Sequence, residues 1–337
     1  MPPFNNMGAE ITTALIPEKN QVLIDWLSWT LKTKDPREAI ELSGLSCMDF
    51  SESSGGGMGY KSSLRSGNIV VFYDGNENMG CHISMSGKGC RAYEAMKDTA
   101  HCWYQLLVRL QNENANFTRL DLAIDNVDGG LCLDKLETAI REKHTRTKCR
   151  KSRKIEELAL TGEEQNLGKT IYLGSPQSRL KIRFYDKAAE QQLNGHWVRC
   201  ELQCMSERAQ EAVKHLLNRV EVGTLAASAL NNYFAVINLD DSNKTRCSLQ
   251  DWWAAWILST EKLKLSTMKA IKYVPEVMEH IKRQYSASLA LCKRYLGVVR
   301  FHEYIHDLIN TGLEKQTKKH EMILQCSKLE LTTDLPF

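Results

Sequence analysis

Lys181-Ile182-Arg183-Phe184-Tyr185-Asp186-Lys187-Ala188-Ala189-Glu190 is followed, past Asn194-Gly195, by Trp197-Val198-Arg199-Cys200-Glu201-Leu202-Gln203. Two alternating runs with Asn-Gly between them predict a β-hairpin, because both turn residues tolerate the positive φ that a tight hairpin needs. Alternation across the pleat then puts Arg183, Tyr185 and Lys187 on one face of the first strand, and Arg199, Glu201 and Gln203 on one face of the second. Phe117-Thr118-Arg119-Leu120-Asp121-Leu122-Ala123-Ile124-Asp125 alternates in the same way, with Leu120, Leu122 and Ile124 toward a core and Arg119, Asp121, Ala123 and Asp125 opposite. Two acidic side chains two residues apart on one strand face repel each other unless a cation or a basic partner intervenes. Salt bridges to Arg119 and Arg199 would satisfy them, and so would a metal ion.

Working outward, residues 1–20 are polar and unpatterned and read as a loose tail. Val22 to Leu27 opens ordered structure as a strand or a helix, and Ser51 to Ser62 reads as a flexible loop. That loop is no P-loop, since Tyr60 interrupts the Gly-Lys-Ser spacing. Asn68 to Tyr73 and Cys81 to Met85 predict a second hairpin across Asp74-Gly75-Asn76-Glu77-Asn78. Ser86-Gly87-Lys88-Gly89-Cys90-Arg91 leads into an amphipathic helix through about Gln111, carried by Met96, Trp103, Leu106, Leu107 and Leu110. A Gly-rich turn at a helix N-terminus offers backbone N–H groups to a phosphate, and it is equally a plain tight turn. A short helix follows from about Asp134 to Glu142, and Ile155 to Leu160 and Thr170 to Leu173 read as strands. Ser206 is placed to cap a helix running to about Arg219. Ser248-Leu249-Gln250-Asp251 resembles a capping box ahead of Trp252, Trp253 and Trp256. Pro275 suits the first turn of another helix, and Arg300 to about Gln325 makes a last one.

The fold class is therefore α+β, a mostly antiparallel sheet with packed helices over residues 21–235, followed by an all-helical region over 236–337. A chain of 337 residues carries ample apolar material for such a core. No run approaches the roughly 20 apolar residues of a membrane span and the N-terminus has no signal-peptide pattern, so a cytoplasmic protein is expected. The 11 cysteines, without a C-x-x-C pair, read as reduced thiols. Cys200 and Cys204 are expected to pack under the sheet.

Net charge is only +3, but Arg141 to Lys154 holds eight Lys or Arg against one Glu. Such a segment neutralises phosphates or stands as a solvated loop. On the sheet, carboxylates are hard donors suited to Mg²⁺ or Mn²⁺, and arginine and lysine can hold flanking phosphates. A tyrosine nucleophile, with an ordinary pKa near 10, needs such cations to favour its phenolate. From alternation alone, Tyr185 is as readily an ordinary strand tyrosine. His302-Glu303-Tyr304-Ile305-His306 is a formal zinc-protease pattern with Glu321 as a conceivable third ligand, but no further His follows at metzincin spacing. An exposed helical face is the better reading.

Taken together, Ser86 to Arg91, Thr118 to Asp125, Tyr172-Leu173-Gly174-Ser175, Arg183 to Lys187 with Glu190, and Trp197 to Glu201 resemble, in order, the signatures of the replication-initiation-factor (Rep_trans) family. That family groups rolling-circle plasmid and phage initiators with relaxases of conjugative elements. The resemblance implies a strand-specific nickase that cuts origin DNA with a tyrosine, keeps a 5′-phosphotyrosine and frees a 3′-OH. Tyr185 matches the nucleophile, with Arg183 and Lys187 beside it as catalytic cations. Strand faces and resemblance together suggest Asp121, Glu201 and Asp125 as ligands of Mg²⁺ or Mn²⁺. Arg119, Arg199, Lys88, Arg91, Lys148, Arg150, Lys151, Arg153 and Lys154 are the expected DNA contacts. No His-hydrophobic-His pair is present, so the metal site of histidine-type relaxases is absent. The helical region is suited to origin DNA, a second copy in a homodimer or a host helicase, and the sequence does not choose among them. The competing reading is an origin-binding protein on the same fold that does not nick.

Overall fold

A computed structural model describes residues 16–53, 55–96, 101–156, 168–264 and 274–316. Its centre is a ten-stranded sheet in which every pairing is antiparallel. In chain order the strands are β1 (Gln21–Leu31), β2 (Ser51–Ser53), β3 (Ser62–Ser66), β4 (Ile69–Tyr73), β5 (Cys81–Met85), β6 (Asn116–Asn126), β7 (Thr145–Thr147), β8 (Ser152–Glu156), β9 (Lys169–Leu173), β10 (Leu180–Asp186), β11 (Val198–Met205) and β12 (Phe234–Val236). The spatial order is β2-β3-β4-β5-β1-β6-β11-β10-β9-β8, while β7 and β12 form a separate two-stranded sheet. The two longest strands, β1 and β6, lie side by side at the middle, so both of their faces are largely buried.

One sheet face is apolar by alternation. Leu120, Leu122 and Ile124 of β6 meet Leu202, Cys200 and Cys204 of β11 and Ile182 and Phe184 of β10 in a single core. Cys200 and Cys204 pack there as small hydrophobes, with their thiols pushed up by burial. Helices α1 (Pro36–Leu42), α2 (Gly87–Met96), α3 (His101–Asn112), α4 (Leu133–Arg141), α5 (Lys187–Glu190), α6 (Glu207–Leu217), α7 (Val222–Tyr233) and α8 (Asp251–Glu261) surround the sheet. Ala209, Ala212, Val213 and Leu216 line one stripe of α6 and bury it against β6 and β11. Trp253 and Trp256 of α8 pack on Phe184 with ring centroids 6.3 and 6.4 Å away. One compact unit covers Leu15–Lys269 and includes α8. Residues 270–337 fall with Met1–Ala14 in a second unit, whose described part is the helix α9 (Val274–Glu314), interrupted at Gly297 with φ 74°.

Several local expectations change. The β10 and β11 strands pair as predicted, Arg183 opposite Glu201 and Tyr185 opposite Arg199, but Asn194-Gly195 is not a tight two-residue turn. Asp186 Oδ1 instead accepts the Ala189 N–H at 2.9 Å and starts α5, so Lys187 opens a helix and leaves the strand alternation. The predicted loop 51–62 contributes β2 and the start of β3. The basic segment is largely ordered, through β7 and the edge strand β8, which begins at Ser152. The last residues of the strand read to Leu160 lie outside the described residues. Neither proposed serine cap forms. Ser206 makes no capping hydrogen bond, and Ser248 donates to Asp240 in place of the α8 terminus, whose N-cap is Gln250.

Candidate functional site

The face opposite the apolar one gathers the predicted groups, because paired residues in an antiparallel ladder share a face. Arg199 pairs with Tyr185 on one side and Asp125 on the other, and Asp125 pairs in turn with Gln21 of β1. Arg183 sits opposite Glu201, Glu201 opposite Ala123, and Gln203 opposite Asp121. The three strands thus bring Arg119, Asp121, Asp125, Arg183, Tyr185, Arg199 and Glu201 onto one surface.

Salt bridges organise it. Arg199 clamps Asp125 with Nε and Nη2 at 2.6 and 2.9 Å. Its Nη1 donates to Asp25 at 3.1 Å, and Gln21 Nε2 adds 2.9 Å to Asp125 Oδ2. Burial alone would raise the Asp125 carboxyl, but the Arg199 guanidinium holds it below the usual range. Arg119 Nε donates to Asp121 Oδ1 at 2.9 Å while its guanidinium lies 3.8 Å from the Trp26 ring centroid. Arg183 donates twice to Glu201, both times to Oε2, at 3.1 and 2.6 Å. Asp121 is 1% exposed. Its burial, with Glu201 and Asp25 adding like charge against Arg119, raises its carboxyl to about 7.

Tyr185 lies among these groups at 4% exposure, with Arg183 and Lys187 over its ring at 4.6 and 5.6 Å. Burial pushes its phenol well above 10, reinforced by Glu201 and Glu190 and opposed by Arg199 and Arg183. Arg199 and Arg183 offset only part of that burial. Lys187 also pairs with Glu190 of its own helix.

Asp25 and Gln21 were not legible as site residues. Asp25 occupies an irregularity of β1 between Ile24 and Trp26, where the register with β6 shifts. A charged residue breaking the run Val22-Leu23-Ile24 was the available signal. Asp25 also explains the Gly-rich turn. A Cβ on Gly87 would come 3.0 Å from Asp25 Oδ1, and one on Gly89 would strike the Asn68 carbonyl at 2.5 Å. Close packing therefore accounts for these glycines. Lys88 is exposed, and Arg91 turns inward to Glu94 and the Ile24 carbonyl.

Of the other expected DNA contacts, Arg150, Lys151 and Arg153 are exposed, the last stacked 4.9 Å from Tyr172. Lys148 donates to Asn232 at 2.7 Å. Lys154 is bound to Glu137 and Glu156, and Lys169 joins it on Glu137. Hydrogen bonds from Arg141, then Lys154 and Lys169, hold the Glu137 carboxyl at about 2. That pairing persists through neutral pH and is lost only as pH falls toward about 2. His302 and His306 are exposed on α9, and Glu321 lies outside the described residues.

His82, on the same sheet face in β5, is 8% exposed and its Nδ1 lies 2.9 Å from Thr30 Oγ1. Burial lowers its pKa from 6.5 to about 4. Between those values the unfolded chain binds the proton more readily, so stability is full above about pH 6.5 and falls by roughly 3 kcal/mol toward pH 4. Chemical denaturation of wild type and His82→Gln across this range checks it. The variant should lose that part of the slope, and an unchanged slope would refute the assignment.

Donor chemistry on this face fits a divalent cation in kind. Asp121 and Glu201 are carboxylates, and a cation would offset both the burial that chiefly raises Asp121 and the smaller like-charge effect of Glu201 and Asp25. Among the described residues no three acidic, histidine or cysteine groups are gathered closely enough to ring an ion. Asp125 has both oxygens committed to Arg199 and Asp121 has both to Arg119, so a cation at Asp121 would have to displace that arginine.

Comparison with known proteins gives a consistent result. Residues 115–309 match the family model described as replication initiation factor, and residues 21–109 match that of the rolling circle replication initiation protein N-terminal domain. A Bacillus subtilis (strain 168) protein named "Putative DNA relaxase NicK" is 30% identical over 259 residues, which is 72% of each chain. The solved rolling circle replication initiator protein of Geobacillus stearothermophilus is 29% identical, with a TM-score of 0.68 over 74% of this chain and 99% of that one.

Proposed function

Since this chain belongs to the replication initiation factor family, we propose that it initiates rolling-circle replication or transfer by nicking one strand of origin DNA with Tyr185. The observation that carries this reading is the convergence on Tyr185 of Arg183, Lys187 and Arg199 from two strands and a helix, in register with the carboxylates of β6 and β11. Attack of the phenolic oxygen on a phosphodiester forms the 5′-phosphotyrosine bond and breaks the bond to the 3′ oxygen; the proton that the phenol gives up balances the one that the departing oxygen takes on to become a free 3′-OH. Arg183 and Lys187 are placed to hold the phosphate, and Glu201 and Glu190 are the carboxylates near enough to influence the tyrosine proton. Because the ring is buried at rest, substrate entry has to uncover its oxygen.

Asp121 and Glu201 would hold Mg²⁺ or Mn²⁺, which supplies Lewis-acid polarisation of the phosphate. Asp125 is assigned to fixing Arg199 in place. Origin DNA is the partner; a second copy and a host helicase remain candidates for α9. Among the described residues no helix is long and apolar enough to cross a membrane. The proposal is tested with supercoiled DNA carrying the cognate origin, with and without Mn²⁺ or Mg²⁺. Relaxation that requires both origin and metal is expected, and binding without relaxation would leave an origin-binding protein.

Lys154 and Lys169 share Glu137 in this state, with Glu156 and Asp134 as their second partners. Glu137→Gln removes one negative charge beside both lysines and should tighten DNA binding, steepening the slope of log K against log salt by up to about one. Anisotropy titrations over a salt series measure it, and an unchanged slope would show that neither lysine meets DNA.

A further inference from the structure

The polar sheet face continues beyond the catalytic strands. From β1 outward it carries Trp26, Ser28 and Thr30, then Ser84 and His82 of β5, Val70 and Phe72 of β4, and Ser63 and Arg65 of β3. Past Trp26, which pairs with Asp121 and follows Asp25, none of these side chains is a carboxylate. Its hydroxyls are satisfied locally: Trp26 Nε1 donates to Ser28 Oγ at 2.6 Å, and Ser28 to Ser84 at 3.0 Å. Tyr60, Phe72 and His82 form a cluster with ring centroids 6.1 to 6.3 Å apart. Trp26, Phe72 and Tyr60 are half-buried, unlike the core aromatics Trp29, Trp103 and Phe184, which are below 2% exposed. Lys61 and Arg65 flank the cluster, both exposed, and among the described residues neither forms an ion pair with a carboxylate.

Building on the nicking reading, we infer that Trp26, Phe72 and Tyr60 form a stacking track for unpaired DNA bases beside the nick site. Aromatic rings with unpaired cations beside them are what single-stranded nucleic acid recognises, since every base has a π-face and every phosphate a charge. Arg119, stacked on Trp26, begins the track next to Asp121. Phe72 lies five strands from Tyr185, roughly 24 Å at the usual strand spacing, a path for several nucleotides. The track would hold the melted strand while Tyr185 acts, and stacking leaves its register independent of sequence.

The test uses the full chain and fluorescein-labelled oligothymidine of about 15 nucleotides, with a duplex of equal length as control. Phe72→Ala should weaken oligothymidine binding about tenfold, and Tyr60→Ala with Phe72→Ala by more, with duplex binding unchanged. Phe72→Trp should restore affinity. If alanine lowers the melting temperature, Phe72→Leu, which keeps bulk without a stacking face, replaces it. Wild-type affinity in these variants, equal loss on duplex, or no oligothymidine binding by wild type would each overturn the track. Origin nicking is followed in parallel. Ring variants that nick normally and bind oligothymidine normally defeat the track alone, whereas stacking-dependent binding by a wild type that never nicks defeats the nicking reading alone.

Discussion

Tyr185→Phe should abolish relaxation of origin-bearing supercoiled DNA, by more than about a thousandfold, while the protein still folds and binds the origin. The substitution removes one oxygen and leaves the ring on which Arg183 and Lys187 lie. Phe184 and the core face of β10 are untouched, because they point to the opposite side of the sheet. Stability should therefore shift by no more than about 1 kcal/mol. A gel assay for open-circular product, paired with origin-binding titrations, separates lost chemistry from lost affinity. Relaxation at the wild-type rate would exclude this tyrosine as the nucleophile.

Arg199→Met should produce the largest loss of stability among the site residues, about 3–5 kcal/mol. Its guanidinium is the shared partner of Asp125, which is 0% exposed, and of Asp25, so its removal leaves buried carboxylate charge uncompensated. Arg199→Met combined with Asp125→Asn should recover part of the loss, since the second change removes the stranded charge. Urea unfolding of the two variants decides it. The sign with pH is set by Asp125: its depressed carboxyl contributes stability that is present above its ordinary value of 3.8 and is lost as pH falls through the lower folded value. An Arg199→Met protein as stable as wild type would show that the ion pairs are incidental to the fold.

Much of this architecture is readable from period-two alternation. β6, β10 and β11 each carry an apolar and a polar set, and their pairing places Asp125, Arg199 and Tyr185 in one row. What alternation misses has physical causes. β2 and β3 are built from serine and glycine-flanked residues without an apolar period, and neighbouring strands hold them in place. Asp25 escapes notice because a register shift lies beside it, and strict alternation fails across such a step. Lys187 reaches Tyr185 by opening a helix, although alternation places it on the right side for a different reason. The salt bridges to Arg119 and Arg199, one of the two ways to satisfy Asp121 and Asp125, are both present. Burial of Tyr185 depends on packing around the sheet, which strand patterning does not report.

The central claim is that Tyr185 becomes covalently joined to DNA. Incubating the protein with a single-stranded oligonucleotide containing the nick site and Mn²⁺, denaturing the mixture and mapping the nucleotide-modified peptide by mass spectrometry tests it directly. The account predicts a 5′-linked nucleotide on Tyr185 and none on any peptide of Tyr185→Phe. Modification of another residue, or cleavage with no protein-linked product, would contradict it.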